Sequence, residues 1–157
     1  MVRALVIVVT AGVLIGLAWP SGKEAPAAAE VAANGDRQET VLERKMNGHF
    51  YTHAKINDRE LIHFIVDTGA TVVVLTVDDA RRLGIPFNPA EFTVVGEGAA
   101  GPVRGTNITL DSVEVDGKRV ENVRAAILEG SNLSLLGQAY LSRMGEVEMS
   151  GDYMVLK

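Results

Sequence analysis

Phe64-Ile65-Val66-Asp67-Thr68-Gly69-Ala70-Thr71 sets an acid at the end of an apolar run. Upstream, Leu61 to Val66 is nearly continuous in apolar side chains, the pattern of a strand buried on both faces. Downstream, Val72 to Leu75 is a further apolar strand. A carboxylate between two such strands is costly unless it is hydrogen-bonded or functional. Its neighbours suit a small functional loop. Gly69 has no side chain, so its amide can approach and donate to the carboxylate. Thr68 brings a hydroxyl that can bond backbone across a neighbouring loop, and Ala70 and Thr71 keep the turn small. The tripeptide alone also fits a structural carboxylate that caps a turn.

Working outward, the rest of the domain reads as strands joined by tight turns. Thr40 to Met46 is strand-like, Asn47-Gly48 is a two-residue hairpin signal, and His49 to Ile56 is the return strand. Asn57-Asp58 marks a second turn. After the apolar strand, Thr76 is an N-cap with Asp78 and Asp79 in the first helical turn. That helix ends near Leu83, where Gly84 and Pro86 stop it. Thr93 to Val95 is a short strand, and Gly96 to Pro102 is a glycine-rich loop. Val103 to Val115 and Lys118 to Leu128 are strands around Asp116-Gly117. Leu133 to Leu136 is an apolar run ending at Gly137. Gln138 to Met144 is a helical turn or two, and Glu146 to Met149 with Tyr153 to Leu156 forms a last hairpin.

The 157 residues leave room for one domain and a tail. The absence of cysteine excludes a disulfide scaffold and a cysteine-ligated zinc site. A net charge of −5 and 5% aromatic residues argue against nucleic acid as a partner, which needs a basic face or a stacking platform. From Ala4 to Trp19 the chain is uncharged and apolar, preceded by Arg3. That is the pattern of an export signal or signal anchor. Residues 1–19 are read as an uncleaved single-pass transmembrane anchor in the inner (cytoplasmic) membrane. A signal cut near Ala27-Ala28-Ala29 is the alternative. Residues 20–37, rich in Ala, Pro, Gly and Glu, form a flexible linker. Residues 38–157 are the domain, expected on the periplasmic, extracytoplasmic side.

Phe64 to Thr71 resembles the active-site signature of the retropepsin-like aspartic proteases, most of all their bacterial, single-lobed, membrane-anchored branch. Gly48-His49-Phe50, the Gly96 to Gly105 stretch and Leu133-Ser134-Leu135-Leu136-Gly137 stand where that family has its first hairpin, its flap and its hydrophobic-hydrophobic-Gly motif. The resemblance implies an all-β fold, a single acid-protease lobe closed like a β-barrel, with one or two short helices. It implies peptide hydrolysis with Asp67 as the catalytic carboxylate. Thr68, Gly69, Ala70 and Thr71 are then the active-site loop, and Gly96, Glu97, Gly98, Ala99, Ala100 and Gly101 the flap. Such chemistry uses neither metal nor cofactor. A water is activated between two carboxylates that share a proton. No other aspartate of the chain repeats Asp-Thr/Ser-Gly. A C2 homodimer with Asp67 facing its symmetry mate is therefore expected, with polypeptide as substrate. The alternative is a non-catalytic dimeric module that keeps the fold for binding.

Other signals carry less. His49, His53 and His63 invite a metal reading. His49 and His53 would share a face only on a helix, however, and no fourth ligand is evident, so no metal site is expected. Asn107-Ile108-Thr109 and Asn132-Leu133-Ser134 match a glycosylation sequon, relevant only in a eukaryotic secretory pathway. Arg81-Arg82 reads as a solvated helix face.

Overall fold

The computed structural model describes residues 39–98 and 101–157. The expected anchor and linker, and Ala99 and Ala100 of the glycine-rich stretch, lie outside the described residues. Among the described residues no helix is long and apolar enough to cross a membrane.

Among the described residues, ten strands and two short α-helices follow one another. They are β1 (Thr40–Glu43), β2 (Tyr51–Ile56), β3 (Glu60–Val66), β4 (Val73–Thr76), α1 (Val77–Arg82), β5 (Thr93–Gly98), β6 (Gly101–Val115), β7 (Lys118–Leu128), β8 (Ser134–Leu136), α2 (Gln138–Leu141), β9 (Val147–Ser150) and β10 (Tyr153–Leu156). One sheet runs β2-β3-β8-β4-β7-β6-β5, and a further pairing of β2 with β6 closes its first six strands into a barrel. Strand β5 hangs outside that ring on β6. A separate sheet, β1-β10-β9, brings the two ends of the domain together, with Thr40 opposite Leu156.

The barrel closes over apolar side chains. Ile56, Ile62, Phe64, Leu75, Leu110, Ile127 and Leu136 are all fully buried. Each such residue contributes about 1.5–3 kcal/mol of transfer free energy. Strand β4 is buried at every position, as its unbroken apolar run predicts. Strand β3 is buried on both faces only from Phe64 to Val66. Leu61 and His63 face outward, so its first half alternates like an ordinary half-buried strand. Tyr140 lies fully buried on α2 and donates its hydroxyl to the Lys118 carbonyl at 2.7 Å. Burial pushes its phenol well above the ordinary tyrosine range.

Several local expectations hold. Thr76 caps α1 by accepting from the Asp79 amide at 3.0 Å, and Gly84 ends it at φ +65°. Asn57 and Asp58 both adopt positive φ in the β2–β3 turn. Three expectations need correction. Asn47-Gly48 does form a tight turn, with the Gly48 amide donating to Lys45. The strands that flank it are not a hairpin, because β1 pairs with β10 while β2 pairs with β3. A turn motif fixes a local reversal but not which strands finally pair. The glycine-rich stretch is also not a loop. β5 continues to Gly98 and β6 begins at Gly101, so both arms are strand, with a bulge between Val94 and Gly96. Finally, the α2 helix is shorter than Gln138 to Met144, ending at Leu141.

The two strands flanking Asp67 are not direct neighbours. β8 lies between them, parallel to β3 and antiparallel to β4. The loop 67–72 must therefore cross over the end of β8, where Gly137 sits. A Cβ at Gly137 would lie 2.2 Å from the Val72 carbonyl oxygen and 2.6 Å from that of Ala70. Both are backbone atoms and cannot move aside cheaply. Gly137→Ala should lower stability by at least ~2 kcal/mol, measured by denaturant unfolding. An unchanged midpoint would show that the loop is not seated on Gly137.

Candidate active site

The loop at 67–72 is held from beneath by backbone. The Asp67 amide donates to the Leu136 carbonyl at 3.1 Å. The Gln138 and Ala139 amides, at the start of α2, donate to the carbonyls of Ala70 and Thr71 at 2.8 and 3.0 Å. The Gln138 side chain adds a bond from Nε2 to the Thr68 carbonyl at 3.0 Å. Buried polar backbone must be paired, and here the pairing also fixes the loop's position against β8.

This frame presents one acid. Asp67 is half-buried, and its Oδ1 accepts the Gly69 amide at 2.9 Å. A Cβ at Gly69 would lie 3.2 Å from that oxygen, so the missing side chain keeps the approach open. Oδ2 has no hydrogen-bond partner among the described residues. Thr68 is exposed, and its hydroxyl also makes no hydrogen bond there. Both groups therefore remain available at the surface of the lobe. Ala70 is half-buried and Thr71 exposed.

A cleft of about 730 Å³ opens beside the loop. Asp67 and Ala70 line it from the loop, and Gly96, Glu97 and Gly98 line it from the β5–β6 hairpin. The structure thus brings the expected loop and the expected hairpin to one cavity. The hairpin pairs Glu97 with Pro102 and Gly98 with Gly101, and Gly101 takes φ +111°, open chiefly to glycine. At the hairpin's base, Gly105 serves close packing rather than freedom: a Cβ there would meet the Ile127 carbonyl oxygen at 2.1 Å.

Sequence reading missed two supports of this site. Gln138 braces Thr68, which its place after Gly137 could have suggested. Ser134 on β8 donates to Asp79 Oδ2 at 2.6 Å and accepts from the Thr76 amide at 3.1 Å, tying the strand under the loop to the cap of α1. The histidine reading also needs correction. Residues four apart share a face on a strand as well as on a helix. The outer face of β2 and β3 carries a row of rings, with Tyr51 stacked on His63 at 5.1 Å and His53 against His63 at 4.9 Å. Among the described residues no three His, Asp or Glu side chains gather around one point that could hold a metal ion.

Known proteins are similar to this chain in sequence and fold. Residues 52–143 match the family described as "gag-polyprotein putative aspartyl protease". The chain is similar to the crystal structure of a retropepsin-like aspartic protease from Rickettsia conorii, with 32% identity and a TM-score of 0.65 over 76% of this chain and 90% of that one. It shares the fold of EIAV protease, solved with the inhibitor HBY-793, at 21% identity and a TM-score of 0.50 over 62% of this chain and 89% of that one. An uncharacterized protein of Rickettsia prowazekii is 34% identical over 75% of this chain, and one of a Sinorhizobium species is 31% identical over 77%. The chain spans about half the length of these two curated relatives, 51% and 52%. The family match takes in the acid loop, the glycine hairpin and the Gly137 support alike, and the chain belongs to the retropepsin-like aspartic protease family.

Proposed function

We propose that this protein is an aspartic endopeptidase that works as a homodimer. The observation that carries the reading is Asp67: one oxygen is pinned by the Gly69 amide, and the other is unpartnered at the edge of a polypeptide-sized cleft. One carboxylate cannot serve as both general base and general acid in the same step. Two copies of Asp67 meeting on a twofold axis supply both. Carboxylates in such a pair do not ionise independently and titrate as a unit. The ionised member takes a proton from a water held between them. The protonated member polarises the scissile carbonyl and then assists proton transfer to the leaving amine. No covalent intermediate forms.

The exposed Thr68 hydroxyl fits a bond to the opposite loop, which would lock the pair in register. The hairpin from Gly96 to Gly101 acts as the flap. It lines the same cleft as Asp67, so its closure over an extended polypeptide would exclude water. Residues 1–19 anchor the chain in the inner membrane with the domain on the periplasmic side. Tethering two chains in one membrane raises their effective concentration and favours pairing.

Three outcomes test this reading. Asp67→Asn in the full chain should reduce cleavage of denatured protein by ~10²–10⁴-fold, and the wild-type rate should fall on both sides of an acidic optimum. Activity surviving the substitution would remove Asp67 from the mechanism, and binding without turnover at any acidic pH would favour a non-catalytic module. Thr68→Ala removes two hydrogen bonds per dimer, about 1 kcal/mol each, so its dissociation constant should rise roughly 30-fold in sedimentation equilibrium. A strict monomer with full activity would refute the two-chain site. After cell fractionation the full chain should remain with the inner membrane through an alkaline wash; recovery in the soluble fraction would refute the anchor.

A further inference from the structure

A second cavity, of about 320 Å³, adjoins the loop. Thr71 lines both this cavity and the larger cleft. Strand β7 also lines both: Asn122 and Arg124 face the smaller cavity, Ala126 and Leu128 the larger. Alternate residues of a strand share one face, so these four form a continuous strip from one cavity to the other. From Arg124 to Leu128 the strip spans about 13 Å at a strand's rise. An extended peptide covers that distance in about four residues.

The two cavities differ in charge. The larger carries the carboxylates Asp67 and Glu97. The smaller carries the guanidiniums of Arg124 and Arg143. In a protein of net charge −5, neither has a carboxylate partner, a condition shared among the described arginines only by Arg59, whose guanidinium donates to the Leu83 carbonyl away from this cavity. Arg44, Arg81, Arg82, Arg104 and Arg119 are each paired with a carboxylate. The Arg124 guanidinium makes no hydrogen bond or ion pair among the described residues. Arg143 donates only to the Asn122 carbonyl, at 3.1 Å. Asn122, which lines the cavity, takes φ +51° inside a strand, a left-handed conformation that asparagine tolerates better than most residues. Two like charges share one cavity with no acid to offset them, and an incoming carboxylate supplies what is missing.

We propose that this cavity is a subsite for an acidic side chain of the polypeptide substrate, about four residues along the strip from the part of the substrate that lies over Leu128. The inference rests on the proteolytic reading above and names a substrate class for it. In a homodimer each protomer contributes one such cavity, so acidic residues are selected on both sides of the scissile bond. Carboxylates near the bond itself are disfavoured by Asp67 and Glu97.

The test has a binding arm and a cleavage arm, both on the full chain. In the first, the Asp67→Asn protein is titrated with labelled extended decapeptides in matched pairs that differ by a single Glu or Gln, scanned along the peptide. The Glu member should bind about five- to tenfold more tightly at the outer positions, the effect of one or two solvent-accessible ion pairs, and less so at high salt. Arg124→Ala combined with Arg143→Ala should bring the ratio to one. Arg124→Lys should retain most of it, and Arg124→Glu should reverse it, which a merely structural arginine would not do. Equal binding of Glu and Gln peptides, or a preference that survives the double substitution, overturns the subsite. In the second arm, wild-type protein is given a peptide digest of a denatured proteome and the cut sites are sequenced. Acidic enrichment on both flanks supports the proposal. Cleavage without such enrichment overturns the subsite and leaves the proteolytic reading standing. Acidic preference in binding with no cleavage does the reverse.

Discussion

The site depends on a contact that a single methyl group would abolish. Gly137 lies under the carbonyls of Ala70 and Val72 so closely that no other residue fits. Because it fits, the backbone amides that follow it reach the Ala70 and Thr71 carbonyls and the loop is tied down along its length. The Asp67 carboxylate then needs only the Gly69 amide to set its orientation. Packing of backbone on backbone is stiffer than packing of side chains, since neither partner has rotamers to yield. A carboxylate that is to be held in one fixed orientation is well placed on such a support.

That support is built from segments far apart in the chain. β8 reaches the gap between β3 and β4 only after the chain has made α1, the long hairpin and β7. The insertion serves two ends at once. Its Leu136 fills the barrel, and its Ser134 bonds the α1 cap and Asp79. Helix α1 is therefore not an isolated surface feature: its N-cap and its first-turn acid are anchored to the strand that carries the loop.

This arrangement explains what could be read from the residues alone. Local signals were legible because their physics is local. Thr76, Asp78 and Asp79 begin a helix, Gly84 ends it, and Asn57-Asp58 and Asp116-Gly117 turn the chain by adopting positive φ. Asp67-Thr68-Gly69 between apolar strands was legible for the same reason. Pairing was not. Nothing near Asn47-Gly48 reveals that β1 will leave for β10, because that choice is made by residues more than a hundred positions away. Glycine composition misled at Gly96 to Pro102, where small residues suggested a loop and the chain makes paired strands. At Gly105, beyond that stretch, the lack of a side chain answers to the Ile127 carbonyl across the β6–β7 pair. The histidines were misjudged by a rule of periodicity, since a strand also returns residues to the same side.

Strand β6 runs unbroken from Gly101 to Val115. Its first residues pair with β5 in the hairpin, its middle with β7, and its end with β2 across the barrel seam. One arm of the hairpin is thus the end of a beam whose other end is built into the wall. At Gly105 that beam lies against the Ile127 carbonyl of β7 with no room for a side chain between them. The register of the β2–β6 seam and the placement of Val103 beside the cleft are therefore set by one continuous strand.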